Sequence, residues 1–383
     1  MRKICAITAN RADWSRIESI LKALKTYPTC KLQLVVIGGH LSERTGWTIK
    51  EIERKGFSVS AVIHTHIEGN TPGIMTKSVG VTIQKLVDVI EKLKPDVIIA
   101  STDRFETLAV GVTAALMNVH IAHIQGGEVT GTIDESIRHT LTKLSHLHFV
   151  STEKSRERVI KMGEPAEFVF NVGCPATDLL LKMPVWSGKK TLEKLNESLV
   201  GTHLLRTDAP YIIMVQHPVT TEFGSSGSQI KETLIALAEF DSQVVVLSPN
   251  IDAGGDDISS TISQFVSHSE DFYLFSHIPT EIFVNVLRNA SLMVGNSSSG
   301  IREACYFGTP VVNVGTRQSG RERSMNVIDV GNDRTEISRA IKNRLAHGKY
   351  PVEQIYGDGT AGEKIAEILL SVSMPPVQKR ITY

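Results

Sequence analysis

The sequence predicts an α/β protein of two units, each built on a mostly parallel sheet, and three observations carry that expectation. Short, near-continuous apolar runs alternate with stretches of helical period, as strands covered on both faces require. The alternation lapses once, in a polar, lysine-bearing segment from about 184 to 209, and then restarts. The 383 residues also exceed what a single hydrophobic core comfortably serves.

The first unit opens with KICAIT, whose apolar stretch from Ile4 to Ile7 is too short for a secretory signal and reads as a strand. LQLVVIGG, VSAVIH, DVIIAST, IAHIQ, LHFVST and FVFNVG follow as further strands. Between them lie the amphipathic WSRIESILKALKTY and the longer GIMTKSVGVTIQKLVDVIEKLK. Lys94-Pro95 should close the longer helix, because proline disfavours helix geometry in the residue before it. In the second unit YIIMVQH, QVVVLSPN, FYLFSH, LMVGNS and VVNVG repeat the pattern, and Gly362 to Val372 reads as a last helix. Lys+Arg and Asp+Glu are both 41, and a net charge of zero argues against a nucleic-acid or membrane-surface partner. No apolar run approaches bilayer-spanning length. Cys5, Cys30, Cys174 and Cys305 lie far apart with no CxxC pair, so free thiols in a reducing, cytoplasmic setting are expected.

Ligands of parallel α/β sheets bind beyond the carboxyl ends of strands, so the strand exits carry the functional argument. Neither GxGxxG nor a P-loop is present. Asn10-Arg11-Ala12-Asp13 follows KICAIT, Asp103-Arg104 follows DVIIAST, and IAHI leads into Gln125, two glycines, Glu128 and Asp134. In the second unit the exits are Gln216-His217-Pro218, Ser248-Pro249-Asn250, Gly295-Asn296-Ser297-Ser298-Ser299-Gly300, and Gly315-Thr316-Arg317-Gln318 with Gly320-Arg321. The first set supplies acids; the second supplies amides, hydroxyls and arginines suited to a diphosphate at a helix start. Glu303, one turn into IREACYFG, suits a pair of ribose hydroxyls. Together these fit a nucleoside diphosphate in the second unit facing a sugar and acids in the first. Each residue also has a structural reading. Asp103 and Asp134 suit helix caps, GNSSSG an ordinary Ser/Gly cap, and His217 a satisfied structural histidine. Convergence at five or six exits favours the functional reading. His64-Thr-His66 has metal-compatible spacing but no accompanying cysteine or acid cluster, so no metal is expected.

DRFETLA, HIQGGEVTGTIDESIRH, QHPVTT, PNIDAG, GNSSSGIRE and FGTPVVNVGTRQSGR together resemble the motifs of the hydrolysing UDP-N-acetylglucosamine 2-epimerases. The likeness runs in order from Asn10 to the IYGDG around Tyr356 and includes the epimerase half of the bifunctional animal enzyme. It implies a GT-B-like fold of two Rossmann-like domains with a central cleft. The expected division is 1–178 for the catalytic acids and 179–361 for UDP, with 362–383 forming a helix and tail, the helix packing back on the first domain. It also implies a homodimer or homotetramer, a UDP-sugar as small-molecule partner, no cofactor, and conversion of UDP-N-acetylglucosamine and water to N-acetylmannosamine and UDP.

By motif, Asp103, Asp134 and His217 match catalytic positions, and Arg11, Ser297, Ser298 and Arg317 look like diphosphate ligands. Asn250 and His277 fall in nucleotide-side motifs, Glu303 resembles the ribose-binding glutamate, and Asp13, Arg104 and Arg321 are further candidates. One departure stands out. Where the animal enzyme reads HIEGGE, this chain has Gln125, which takes no proton at neutral pH, so Glu128 joins the catalytic candidates and Gln125 becomes an orienting group. DDISSTISQF lacks the arginines that bind a feedback nucleotide in the animal enzyme, so no such inhibition is expected. The rival readings are the same chemistry on a UDP-2,4-diacetamido-6-deoxy sugar, a non-hydrolysing epimerase, a glycosyltransferase and a non-catalytic UDP-sugar sensor.

Overall fold

A computed structural model describes residues 1–43, 46–69, 71–199, 203–249 and 254–382. The chain divides into two units: residues 1–128, 134–182 and 356–383 form unit 1, and residues 129–133 and 183–355 form unit 2. The turn from first to second unit thus falls just beyond the expected position 178.

Unit 1 is a seven-stranded sheet ordered β3-β2-β1-β4-β5-β6-β7, parallel at every pairing. Its elements in chain order begin with β1 (Arg2–Thr8), α1 (Arg11–Leu24), β2 (Cys30–Ile37), α2 (Ile49–Arg54), β3 (Ala61–Ile63), α3 (Pro72–Leu93) and β4 (Val97–Ser101). They continue with α4 (Phe105–Leu116), β5 (His120–Ile124), α5 (Asp134–Leu144), β6 (Leu147–Val150), α6 (Glu153–Lys161), β7 (Val169–Asn171) and α7 (Pro175–Lys182). The continuous apolar strands are buried because helices cover both faces. Trp14, Ile17, Ile20 and Leu21 of α1 pack on one side, and Leu86, Ile90, Val110 and Ala114 of α3 and α4 on the other. Thr71 caps α3 by accepting from the Ile74 amide, and the helix ends at Lys94, left-handed at φ 46°, before Pro95. Gly38 and Gly39, expected to extend β2, instead form a 3-10 turn over Gly38–Leu41 in which the His40 amide donates to the Ala9 carbonyl.

Unit 2 is a six-stranded parallel sheet ordered β10-β9-β8-β11-β12-β13. It comprises α8 (Gly188–Asn196), β8 (Tyr211–Val215), α9 (Ser226–Leu237), β9 (Gln243–Leu247), α10 (Gly255–Val266), β10 (Phe272–Phe275) and α11 (Thr280–Asn289). Then come β11 (Leu292–Gly295), α12 (Ser298–Arg302), β12 (Val311–Val314), β13 (Val327–Val330) and α13 (Arg334–His347). The polar segment from 184 is therefore not all loop: Ser187 caps α8, whose Thr191, Leu192 and Leu195 are buried while its lysines face outward. The strand β13 is an addition to the expected set. Finally α14 (Ala361–Ser371) returns to unit 1, packing on α1 and α7 with Ile365, Ala366 and Leu369 buried. Asp178 on α7 accepts from the Ala361 and Gly362 amides at 3.0 and 2.6 Å and so closes the start of that helix. No helix among the described residues is long and apolar enough to cross a membrane.

Candidate functional site

Both sheets reverse their strand order once, between β1 and β4 in unit 1 and between β8 and β11 in unit 2. Such switch points open a crevice at the carboxyl ends of the strands. Most of the candidate residues sit on the exits at or next to these two points.

At the β1 exit, Asn10 caps α1 by accepting from the Asp13 amide at 3.2 Å, and Arg11 opens the helix. Asp13 is 2% exposed; its carboxylate accepts from the Ala9 amide at 2.9 Å and the Thr102 hydroxyl at 2.7 Å. Burial, followed by the charge of Glu106, pushes this carboxyl up to about 6. At the β4 exit Thr102 is left-handed (φ 69°), and at the β5 exit Gln125 is too (φ 68°). The two are level, because Ser101 pairs with Ile124. Such a conformation costs a non-glycine residue about 1–3 kcal/mol and persists where the surroundings enforce it. Unit 2 places glycines at the comparable exits: Gly295 (φ 125°), where any Cβ would press on the Val215 carbonyl, and Gly315 (φ 77°). Retaining side chains at Thr102 and Gln125 points to a use for them.

Gln125 is held at both ends of its amide, which leaves one N–H and one lone pair to spare. Its Oε1 accepts from Arg16 Nε at 2.5 Å and its Nε2 donates to Cys174 Sγ at 2.7 Å. The two following glycines are required: a Cβ on Gly126 would crowd His123 Nδ1, and one on Gly127 would meet the Ser155 carbonyl. Glu128, 4% exposed, closes the turn.

Asp103 does not cap α4. The N-cap is Arg104, which makes no capping side-chain bond, and Asp103 instead accepts from Arg138 Nη2. Arg138, 1% exposed on α5, also donates from Nη1 to the Glu128 carbonyl at 2.9 Å and to Glu135 at 3.0 Å. Burial opposes its charge, but the carboxylates of Asp103 and Glu128 raise its proton affinity above the ordinary arginine value. Asp134, first residue of α5, lies one turn before Arg138 and therefore on the same face. One arginine thus gathers the β4 exit, the Gly-Gly turn and α5. Sequence reasoning missed it, although the Asp134/Arg138 spacing of a favourable helical pair was visible.

In unit 2, Asn296 ties the two sides of the switch point. Its Oδ1 accepts from the His217 amide at 2.7 Å, and its Nδ2 donates to the His217 carbonyl at 2.9 Å. Its own carbonyl accepts from Gln318 Nε2 at 2.9 Å and Arg317 Nη1 at 3.2 Å, while Arg321 Nη1 donates to Gln318 Oε1 at 2.8 Å. His217, Ser297, Arg317 and Arg321 are thereby drawn together around one amide. Ser297 caps α12 through the Ser299 amide, and α12 is only five residues long, with Glu303 at its end. A helix so short adds little dipole, so the donors here are the side chains and loop amides. His277 follows β10 and is half-buried; Asn250 lies outside the described residues. Residues 129–133, from the middle of the acid-bearing loop, group with unit 2, where the Gly131 amide donates to the Arg317 carbonyl at 3.1 Å. Among the described residues no group of three or more His, Cys, Asp or Glu side chains is arranged to hold a metal.

The UDP-N-acetylglucosamine 2-epimerase family matches this chain over residues 22–370. The chain is 34% identical over 374 residues to the UDP-N,N'-diacetylbacillosamine 2-epimerase (hydrolyzing) of Legionella pneumophila, covering 98% of this chain and 97% of that protein. It is 32% identical over 372 residues to the UDP-N-acetylglucosamine 2-epimerase of Neisseria meningitidis serogroup B, covering 96% and 95%. The fold resembles the crystal structure of UDP-GlcNAc 2-epimerase from Neisseria meningitidis bound to UDP-GlcNAc, with a TM-score of 0.80, 19% identity, and 97% and 100% of the two chains covered.

Proposed function

The chain belongs to the UDP-N-acetylglucosamine 2-epimerase family and is a hydrolysing UDP-sugar 2-epimerase, and from that premise we propose that it converts UDP-N-acetylglucosamine and water to N-acetylmannosamine and UDP, as in sialic-acid-type biosynthesis. No carbonyl acidifies the C2 proton of such a sugar. Departure of UDP must therefore build positive character at C1 while a base removes that proton, leaving 2-acetamidoglucal. Water then adds at C1 as a proton returns to the opposite face of C2, which inverts it. This needs two proton carriers on opposite faces, a carboxylate near the cationic C1, and cations on the departing diphosphate.

Asp103, Asp134 and Glu128, with His217, supply the proton carriers; their roles interchange where carboxylates are coupled. Arg11, Arg317, Ser297 and Ser298 take the diphosphate, Asn250, His277 and Glu303 the nucleoside, and Arg104 and Arg321 support the two sets. Gln125 orients the acetamido group or the water. The observation that supports this reading best is the Arg138 hub, which bonds the Asp103 carboxylate and the Glu128 backbone carbonyl and lies one helical turn from Asp134. A second reading keeps the chemistry and changes the substrate to a UDP-2,4-diacetamido-6-deoxy sugar. It is favoured by Gln125 and by the 34% identity to the Legionella protein. Both sugars incubated in D2O and followed by NMR separate the readings. The preferred substrate should give free UDP and a 2-deuterated manno product; UDP kept on an epimerised sugar, or no turnover of either, would overturn the proposal.

A further inference from the structure

A carboxylate that no step above uses lies beneath the exits of unit 1. Asp13 joins two loops with its two oxygens: Oδ2 takes the Ala9 amide at 2.9 Å, just before Asn10 and Arg11, and Oδ1 takes the Thr102 hydroxyl at 2.7 Å, just before Asp103. The Thr102 hydroxyl also lies 3.2 Å from Thr107 Oγ1, which donates to the Ser101 carbonyl at 3.0 Å. All of these groups are buried, and Thr102 sits in the left-handed region that β-branched residues avoid. The backbone on either side of the unit 1 switch point is therefore held by a single side chain.

We infer that Asp13 is a positioning residue for the proposed reaction, fixing Arg11 on one side of the switch point and Asp103 on the other through Ala9 and Thr102. The kinetic part of this rests on the function proposed above; the structural part does not. Hydrogen-bond direction supplies a selective test. In Asp13→Ala both loops lose their anchor. In Thr102→Val only the Asp103 side does. In Asp13→Asn the amide oxygen still accepts from the Ala9 amide and the NH2 donates to Thr102 Oγ1, whose hydroxyl turns to donate to Thr107 Oγ1 while Thr107 keeps donating to the Ser101 carbonyl.

The experiment is steady-state kinetics per folded enzyme, with crystal structures of the same variants. Asp13→Ala should lower kcat about 10–100-fold, the scale of a misplaced reacting group, and raise KM. Thr102→Val should lower kcat about tenfold with KM little changed, and Asp13→Asn should recover most of what Asp13→Ala loses. In the Asp13→Ala structure Thr102 should relax to negative φ and Asp103 leave Arg138. A role in folding alone would lower the melting temperature while kcat per folded enzyme and KM stayed at wild-type values, and that outcome overturns the inference. An unmoved Thr102 does so as well. If Asp13→Ala does not fold, Thr102→Val and Asp13→Asn decide. If the wild type turns over neither sugar, the functional reading fails by itself and the crystal structures still judge the positioning claim.

Discussion

Arg138 pairs with two carboxylates of unit 1, Asp103 and Glu135, and its removal has a calculable sign. Replacing it leaves the Asp103 carboxylate, only 22% exposed, without its fork-shaped partner. Breaking one side of a buried pair costs about 3–5 kcal/mol, and the part exposure of Asp103 puts this case at the low end. Arg138→Met should lower the urea midpoint accordingly and reduce turnover by about 100-fold or more. Arg138→Lys should restore stability further than rate, because a lysine supplies the charge without the planar fork. Equal recovery of both would show that only charge matters. At this scale the residue types at the exits were legible from chain order alone. The partners were not: Arg138 and Asp103 lie 35 positions apart, and Arg16 and Gln125 lie 109 apart, distances that no local period encodes.

At the scale of elements, the tail after α14 runs back past the amino-terminal ends of β5 and β6. His120 Nε2 meets the Pro375 carbonyl at 2.8 Å and His146 Nε2 meets that of Val377 at 3.1 Å. Lys379 reaches Glu164 at 2.6 Å, beside Lys143 and His148. Burial pushes the Glu164 carboxyl up, but bonds from His148, Lys143 and Lys379 outweigh it and hold it at about 2, below the ordinary 4.5. A depressed carboxyl contributes stability that is present above about 4.5 and lost as pH falls toward about 2. The chain should therefore lose on the order of 2 kcal/mol across that window, and Glu164→Gln should flatten the slope of urea midpoint against pH there. An unchanged slope would show that Glu164 is not the responsible group. Legibility varied among elements for physical reasons. The lysines of α8 masked its buried face, and β13 is an edge strand whose four residues, Val-Ile-Asp-Val, are too few for a period to show. The start of α13 was not singled out, although its signal is local: Asp333 accepts from the Glu336 amide and Glu336 reaches back to the Gly331 amide, a variant of the capping box.

For the whole molecule, the decisive feature of connectivity is that residues 356–383 complete unit 1 after the chain has built unit 2. Ile365 and Leu369 cover α1, and burial of two such side chains is worth about 3–6 kcal/mol, comparable with a domain's entire stability. A chain ended at residue 355 should lose the calorimetric transition of unit 1 while unit 2 keeps its own. Two intact transitions would mean that the returning helix is dispensable. The sequence by itself determined the α/β class, the two-unit organisation and the placing of polar and charged residues after buried strands, because alternation and punctuation are local properties of the chain. Only the tertiary structure decided that Thr102 and Gln125 turn left-handed, that Arg138 is the buried hub, and that Asp13 joins two loops. Those facts depend on which distant segments become neighbours, and strand order in a parallel sheet sets that rather than any pattern within a strand.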